Sequence, residues 1–172
     1  MKKFELTAEF VTNVFGKKLF RIKALVAFGD VSAGELGGFV EKEENLSNNG
    51  NAWVSGNAWV SGDAQVSGNA WVSGNAWVSG DARVSGDARV YGDADYAVVT
   101  GFGHCFRATT FFRCKDKILR VQCGCFYGDL AQFREIVKKT HGDSKYAKEY
   151  LAIADLMELH FSDEEENQEA AK

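Results

Sequence analysis

The chain has 172 residues, 45% of them hydrophobic, no proline and a formal net charge of −4. That length predicts a single compact unit with small subdomains. Asp163, Glu164, Glu165, Glu166 and Glu169 against Lys172 account for all of the excess charge, so 162–172 reads as a disordered acidic tail. A neutral body excludes the broad basic footprint of a nucleic-acid binder. There is no apolar run of membrane-spanning length and no signal-peptide start, so no membrane contact is expected. Four cysteines without secretory context point to a reduced, intracellular chain.

Residues 1–30 form the first expected unit, a β-hairpin over 4–25. Phe20, Ile22 and Ala24 alternate with Arg21 and Lys23 after a Gly16-Lys17 turn. Residues 28–50 are glycine-rich. Val40 and Leu46 stand six apart, which predicts a degraded first turn of the repeat that follows.

That repeat dominates the chain. Residues 51–68 and 69–86 are the same eighteen-residue block, differing at Gln65 versus Arg83. Inside it runs a period of six, with triplets from Ala52-Trp53-Val54 to Ala88-Arg89-Val90 separated by Ser-Gly-Asn or Ser-Gly-Asp. Strand side chains alternate, so Ala and Val of each triplet face one way and the middle residue the other. Gly with Asn or Asp supplies turns that accept positive φ. A three-residue strand is stable only when stacked on its neighbours. Three hexads per turn place each strand on the strand eighteen residues later, giving a triangular parallel β-solenoid. The clean repeats, 51–92, end in a degenerate triplet, Ala94-Asp95-Tyr96, and Phe102 continues the six-residue step. The coil is therefore assigned to 31–102. Its clean part is a prism only ~12 Å tall, and its open edges need caps.

Beyond it, Phe106–Arg113 and Ile118–Gln122 flank a Lys115-Asp116-Lys117 turn as a second hairpin. Asp129 with Gln132 begins a helix that His141-Gly142 ends, and a second helix runs from Ser144 to His160. Its apolar stripe is Tyr146, Tyr150, Ile153, Met157 and Phe161. Residues 103–161 thus read as a ββαα cap.

Val-Ser-Gly-Asn-Ala-Trp resembles the pattern of hexapeptide-repeat proteins at its aliphatic and small positions; the Ser after each Val departs from it. The resemblance implies a left-handed hand for the coil. The predicted fold is therefore mainly β: a short left-handed parallel β-helix, three hexapeptide repeats per coil, flanked by an N-terminal β-hairpin and a C-terminal ββαα cap. The run Leu36-Gly37-Gly38-Phe39-Val40-Glu41-Lys42 before the repeats is similar to the lead-in of hexapeptide-repeat proteins from bacteriophages and prophages. Cys123-Gly124-Cys125-Phe126-Tyr127-Gly128 and Thr140-His141-Gly142-Asp143 resemble the domain that closes many of them. That implies a viral origin and a host-cytoplasm setting, and it names no reaction.

Chemistry would sit at the outward middle positions. The period stacks Trp53, Trp71 and Arg89 on one face, Trp59, Trp77 and Asp95 on a second, and Gln65 with Arg83 on the third. Exposed Trp ladders are costly for solubility and frequent at binding hot spots. They are either covered by the flanks, or a partner or self-association surface, or a platform for a flat nucleotide-like ligand with Arg83 or Arg89 holding a phosphate. Proteins of the resembled kind are often side-by-side trimers. Asp63 and Asp81 share a corner and more readily cap their own turns than bind a cation. Cys105, Cys114, Cys123 and Cys125 lack a zinc-knuckle spacing and read as core cysteines. The clean repeats hold no histidine as a general base; His104 would be the better candidate for one. The expectation is a non-enzymatic, cofactor-free binding protein, a homo-oligomer (trimer or dimer). It would engage a host protein or sequester a small nucleotide-like ligand, to counter a host defence such as CRISPR or nucleotide signalling. A hexapeptide-repeat acyltransferase and a structural virion component are the alternatives.

Overall fold

The structure, a computed structural model, describes residues 1–162. From Asp163 onward, the acidic tail expected at 162–172 lies outside the described residues. The N-terminal strands β1 (Phe4–Thr12) and β2 (Lys18–Ala24) pair antiparallel, and β2 pairs with β3 (Leu36–Val40). The triplets then give seven two-residue strands, β4 (Trp53–Val54), β5 (Trp59–Val60), β6 (Gln65–Val66), β7 (Trp71–Val72), β8 (Trp77–Val78), β9 (Arg83–Val84) and β10 (Arg89–Val90).

These strands stack in three parallel ladders, β4-β7-β10, β5-β8 and β6-β9. The register pairs residues eighteen apart: Trp53 with Trp71 and Trp71 with Arg89, Trp59 with Trp77, and Gln65 with Arg83. The triplets of residues 52–90 form a β-solenoid. All fourteen Ala and Val residues of the seven triplets are buried, so the small and β-branched pair fills the interior as the alternation requires. Rungs are joined by backbone bonds such as Trp53 N–H to the Ala70 carbonyl at 2.9 Å and Ser61 N–H to that of Val78 at 3.0 Å. Some of the turns leave no room for a side chain. Gly68 has φ +67°, and a Cβ there would lie 2.9 Å from the Gly86 nitrogen.

Each ladder is closed at its start by a different device. On the Trp59 wall, β3 adds as a parallel strand, pairing Phe39 with Trp59. On the Gln65 wall, Leu46 bridges to Val66, and the buried Asn45 amide donates to the carbonyls of Gly62 (3.1 Å) and Ala64 (2.8 Å). On the Trp53 wall, the Lys3 ammonium donates to the Ala52 carbonyl at 2.8 Å while lying 4.5 Å from the Phe28 ring centroid. Val40 and Leu46 thus sit on a degraded turn below the first clean coil, but at an offset of twenty, with Val40 on Val60 and Leu46 on Val66. Two extra residues in the 47–50 loop explain the difference.

The coil ends earlier than the six-residue step predicts. Asp93–Asp95 forms a 3-10 turn and Ala94 is exposed. Tyr96–Val99 is β11, the first strand of a four-stranded antiparallel sheet completed by β12 (Thr109–Arg113), β13 (Leu119–Cys123) and β14 (Phe126–Asp129). The cap has four strands where the sequence indicated two. Tyr96-Ala97-Val98-Val99 carries an apolar run compatible with either assignment, and the turn decides it. Phe102 is 43% exposed and in no strand. Two helices, α1 (Leu130–His141) and α2 (Lys145–His160), pack on the sheet. Asp129 accepts from Gln132 N–H and the Gln132 side chain from Asp129 N–H, the reciprocal cap that starts α1. The sheet joins two cores through alternation on β12: Phe111 packs with Phe133 and Val137 beneath the helices, while Phe112 packs into the solenoid interior.

Two tests follow from the end caps. Asn45→Ala strips partners from two carbonyls and from the Lys42 N–H and should cost about 3 kcal/mol by urea unfolding; a loss below about 1 kcal/mol would show the cap to be dispensable. Burial pushes the Lys3 pKa down from 10.5 to about 8. Between those values the unfolded chain binds more protons than the folded one, so stability rises with pH there and is lower below pH 8. Thermal melts from pH 7.5 to 9.5 should move wild type upward relative to Lys3→Met by a few degrees; parallel curves would refute the linkage.

Candidate functional site

The four tryptophans share a sequence context and meet different fates. Trp53 is fully buried. The N-terminal segment folds over it, with the Phe28 ring edge-on at 5.4 Å. It therefore offers no outward surface: at this position the ladder is covered by a flank, and Trp53 is not available as the binding residue the sequence suggested. Trp59, Trp71 and Trp77 stay half-buried. Trp59 and Trp77 stack edge-to-face at 5.7 Å, a favoured aromatic geometry.

The serine that departs from the hexapeptide pattern has a role here. Trp71 Nε1 donates to Ser55 Oγ and Trp77 Nε1 to Ser61 Oγ, both at 3.0 Å. Each indole thus bonds a serine sixteen residues earlier, one coil below. Sixteen residues before Trp53 stands Gly37, and the Trp53 Nε1 is buried without a partner. The spacing was present in the sequence as a signal, because Ser and Trp recur together.

Asp95 does not continue the Trp59–Trp77 ladder. Its carboxylate accepts from the Tyr91 and Gly92 N–H groups, and the Asp93 carboxylate takes the Trp77 N–H at 2.8 Å in place of the next rung's carbonyl. On the third wall the Arg83 N–H ends on Thr110 Oγ1 at 2.9 Å. The side chains of the two arginines are also engaged. Arg83 donates to Gln65 Oε1 at 2.8 Å, and Arg89 to the Asn69 and Ala88 carbonyls at 2.9 Å.

A groove of about 540 Å³ separates the hairpin tip from the Trp77 wall, lined by Phe15, Lys17, Glu41, Trp77, Asp93 and Tyr96 among others. Phe15 is 78% exposed and the adjacent Val14 86%. Glu41 accepts from the Gly62 N–H at 2.7 Å and pairs with Lys17 at 3.0 Å; the backbone bond, helped by the lysine, holds its carboxyl below the usual range.

The cysteines divide. Cys114 is buried, and burial pushes its thiol up. Cys123 is half-buried, whereas Cys105 and Cys125 are exposed, correcting the reading of all four as core. Cys105 lies in the loop between β11 and β12, and Cys125 in the tight turn between β13 and β14, so neither can reach the core. Among the described residues no group of three or more His, Cys, Asp or Glu side chains is placed to hold a metal. Asp63 pairs with Lys42 at 2.7 Å. Among the described residues no helix is long and apolar enough to cross a membrane.

The model of the YdcK beta solenoid repeat matches residues 64–80 and 82–94, from the last triplet of the first block to just past the clean repeats. A search of the curated proteins finds no match. The match agrees with the ladders in the structure and extends to neither flank.

The Trp positions are separable by mutation. Trp53→Ala should cost about 3–5 kcal/mol in chemical unfolding. Trp53→Phe should cost clearly less, because it removes an orphaned N–H along with the lost volume. Trp77→Ser should cost about 1 kcal/mol. A Trp77 variant as unstable as Trp53→Ala would make the second ladder structural.

Proposed function

We propose that this protein is a non-enzymatic binding protein whose capped solenoid is a rigid spacer presenting the Trp59–Trp77 wall and the hairpin tip to a protein partner. The supporting observation is the juxtaposition of the half-buried Trp77, which stacks on Trp59, with the exposed Phe15 of the hairpin tip across an open groove. Aromatic side chains anchor interfaces because they bury large area at small entropic cost.

A protein suits the groove better than a nucleotide. Its charged members are Glu41, Asp93 and a lysine already paired to Glu41, so among the described residues no free cation faces it to receive a phosphate. Arg83 and Arg89, the expected phosphate holders, lie on the other two walls and bond Gln65 and backbone carbonyls.

The resemblance to phage hexapeptide-repeat proteins supplies the rest of this reading. The coil is left-handed, the protein is made in a host cytoplasm, and its partner is a host protein, with interference in a defence system such as CRISPR or nucleotide signalling as the outcome. The same aromatic wall would serve a trimer or dimer of this chain, and the partner then docks on the assembly.

Native mass spectrometry of the bacterially expressed protein, wild type against the Trp59→Ser/Trp77→Ser double variant, tests the reading. The expected result is a closed oligomer or a stoichiometric protein complex in the wild type, lost in a variant with an unchanged circular dichroism spectrum. A wild type and variant that are equally monomeric and capture the same host proteins would overturn it. A co-purifying small-molecule mass would replace it with ligand sequestration.

A further inference from the structure

The solenoid reading leaves a second concavity unused. In the cap, a cleft of about 320 Å³ opens between the sheet and the two helices, within the size range of small-molecule sites. Phe126, Phe133, Val137 and Tyr150 line its apolar part. Their rings are in continuous contact, Phe126 to Phe133 at 5.6 Å and Phe133 to Tyr150 at 5.8 Å. His141 lies on Tyr150 at 5.8 Å, and Tyr146 bridges His141 to His104 at 6.3 and 5.6 Å.

One cation stands at the mouth of this cleft, and it also borders a neighbouring pocket that holds Asp63 and Asp81. Arg107 is exposed there, flat against Gly124, where a Cβ would meet its Nη1 at 2.0 Å. Its side-chain contact is the Cys105 thiol, itself 3.5 Å from His104 Nδ1. It has no carboxylate partner among the described residues, and none of the described residues lining the cleft is a carboxylate. Every other arginine of the cap is engaged by carboxylates: Arg113 with Asp95, Arg120 with Asp116, and Arg134 with Asp155 and Glu158. An unmatched guanidinium over an apolar, ring-lined cavity favours a ligand with one anionic head and an apolar body.

We propose that the cap cleft binds a small monoanion, an alkyl or aryl carboxylate, with its carboxylate on Arg107 and its body against Phe126, Phe133 and Val137. Cys105 then sits beside the bound head group, where a ligand shields it. This site is independent of the aromatic wall of the solenoid.

Octanoate and its neutral counterpart 1-octanol are the probes, titrated by calorimetry and by chemical-shift perturbation into the full chain. Wild type should bind octanoate about tenfold more tightly than octanol, the ratio expected of one charge-assisted contact. Arg107→Gln, a surface change, should bring octanoate to the level of octanol. Ile136→Trp, at the rim, should abolish both. Octanoate should also slow iodoacetamide alkylation of Cys105, read by peptide mapping. Absence of octanoate binding, no preference over octanol in the wild type, or a preference that survives Arg107→Gln would overturn the proposal. Should Ile136→Trp fail to fold, the Arg107→Gln comparison decides alone.

Discussion

A stack of three-sided coils this short is governed by its ends. Each rung satisfies its backbone only by donating N–H groups to the rung above and accepting from the rung below, so the first and last rungs leave polar groups open on all three walls. With about two and a half clean coils, the end rungs outnumber the interior ones: of the seven triplet strands only β7 lies between two others of the repeat. Buried groups without partners cost about 1–3 kcal/mol each, which a core of alanines and valines offsets poorly. The flanking segments are therefore part of the solenoid's stability. Lys3, Asn45 and β3 close one end, and the Asp93 carboxylate and Thr110 hydroxyl act at the other. Each cap comes from a different element, so the N-terminal hairpin, the lead-in loop and the C-terminal sheet are all tied to the coil through its end rungs.

That constraint also decides which aromatic residues remain available. Trp53 lies on the first coil, where the N-terminal segment must cross to bring Lys3 onto Ala52, and Phe28 covers it in passing. Trp77 lies one coil higher on another wall, beyond the reach of that segment except at the tip near Phe15. The indole N–H groups follow the same logic. On the second coil each finds a serine below it, whereas on the first coil the rung below is irregular and Gly37 offers no side-chain acceptor to Trp53. Burial of an orphaned N–H at Trp53 is the cost of placing a large ring where the cap needs apolar area.

The ladders were legible in the sequence because an eighteen-residue repeat leaves one consistent register, and both hairpin turns and both helices carried local signals strong enough to place them. The ends were not. The departure at Asp93 depends on which carboxylate reaches the Trp77 N–H, a choice among Asp87, Asp93 and Asp95 that spacing does not make. Tyr96–Val99 has the same apolar run whether it closes the coil or opens the cap sheet. β14 is short and holds Gly128, with little propensity of its own, and it forms because β13 offers an edge. The candidate surfaces were half legible: the period put the tryptophans on walls, but what covers Trp53 is a contact between segments 25 residues apart. The cap cleft left no motif at all, since Arg107, Phe133 and Tyr150 are joined only by the packing of helices on the sheet.

The repeat itself records the boundary between these roles. Its middle residue is Trp in the first two triplets of each block and Gln or Arg in the third, and the last triplet carries Arg where the period would place Trp. Position 89 is on the Trp53–Trp71 wall, yet its side chain turns back to the Asn69 and Ala88 carbonyls near the end of the ladder. A tryptophan there would supply a single N–H donor on a rigid ring, whereas a guanidinium supplies several on a flexible stem. The substitution thus trades aromatic surface for carbonyl capping at the level where the cap sheet begins. The Trp59–Trp77 wall is bounded differently, below by the lead-in strand and above by the Asp93–Asp95 turn, which leaves its two indoles at the middle of the prism.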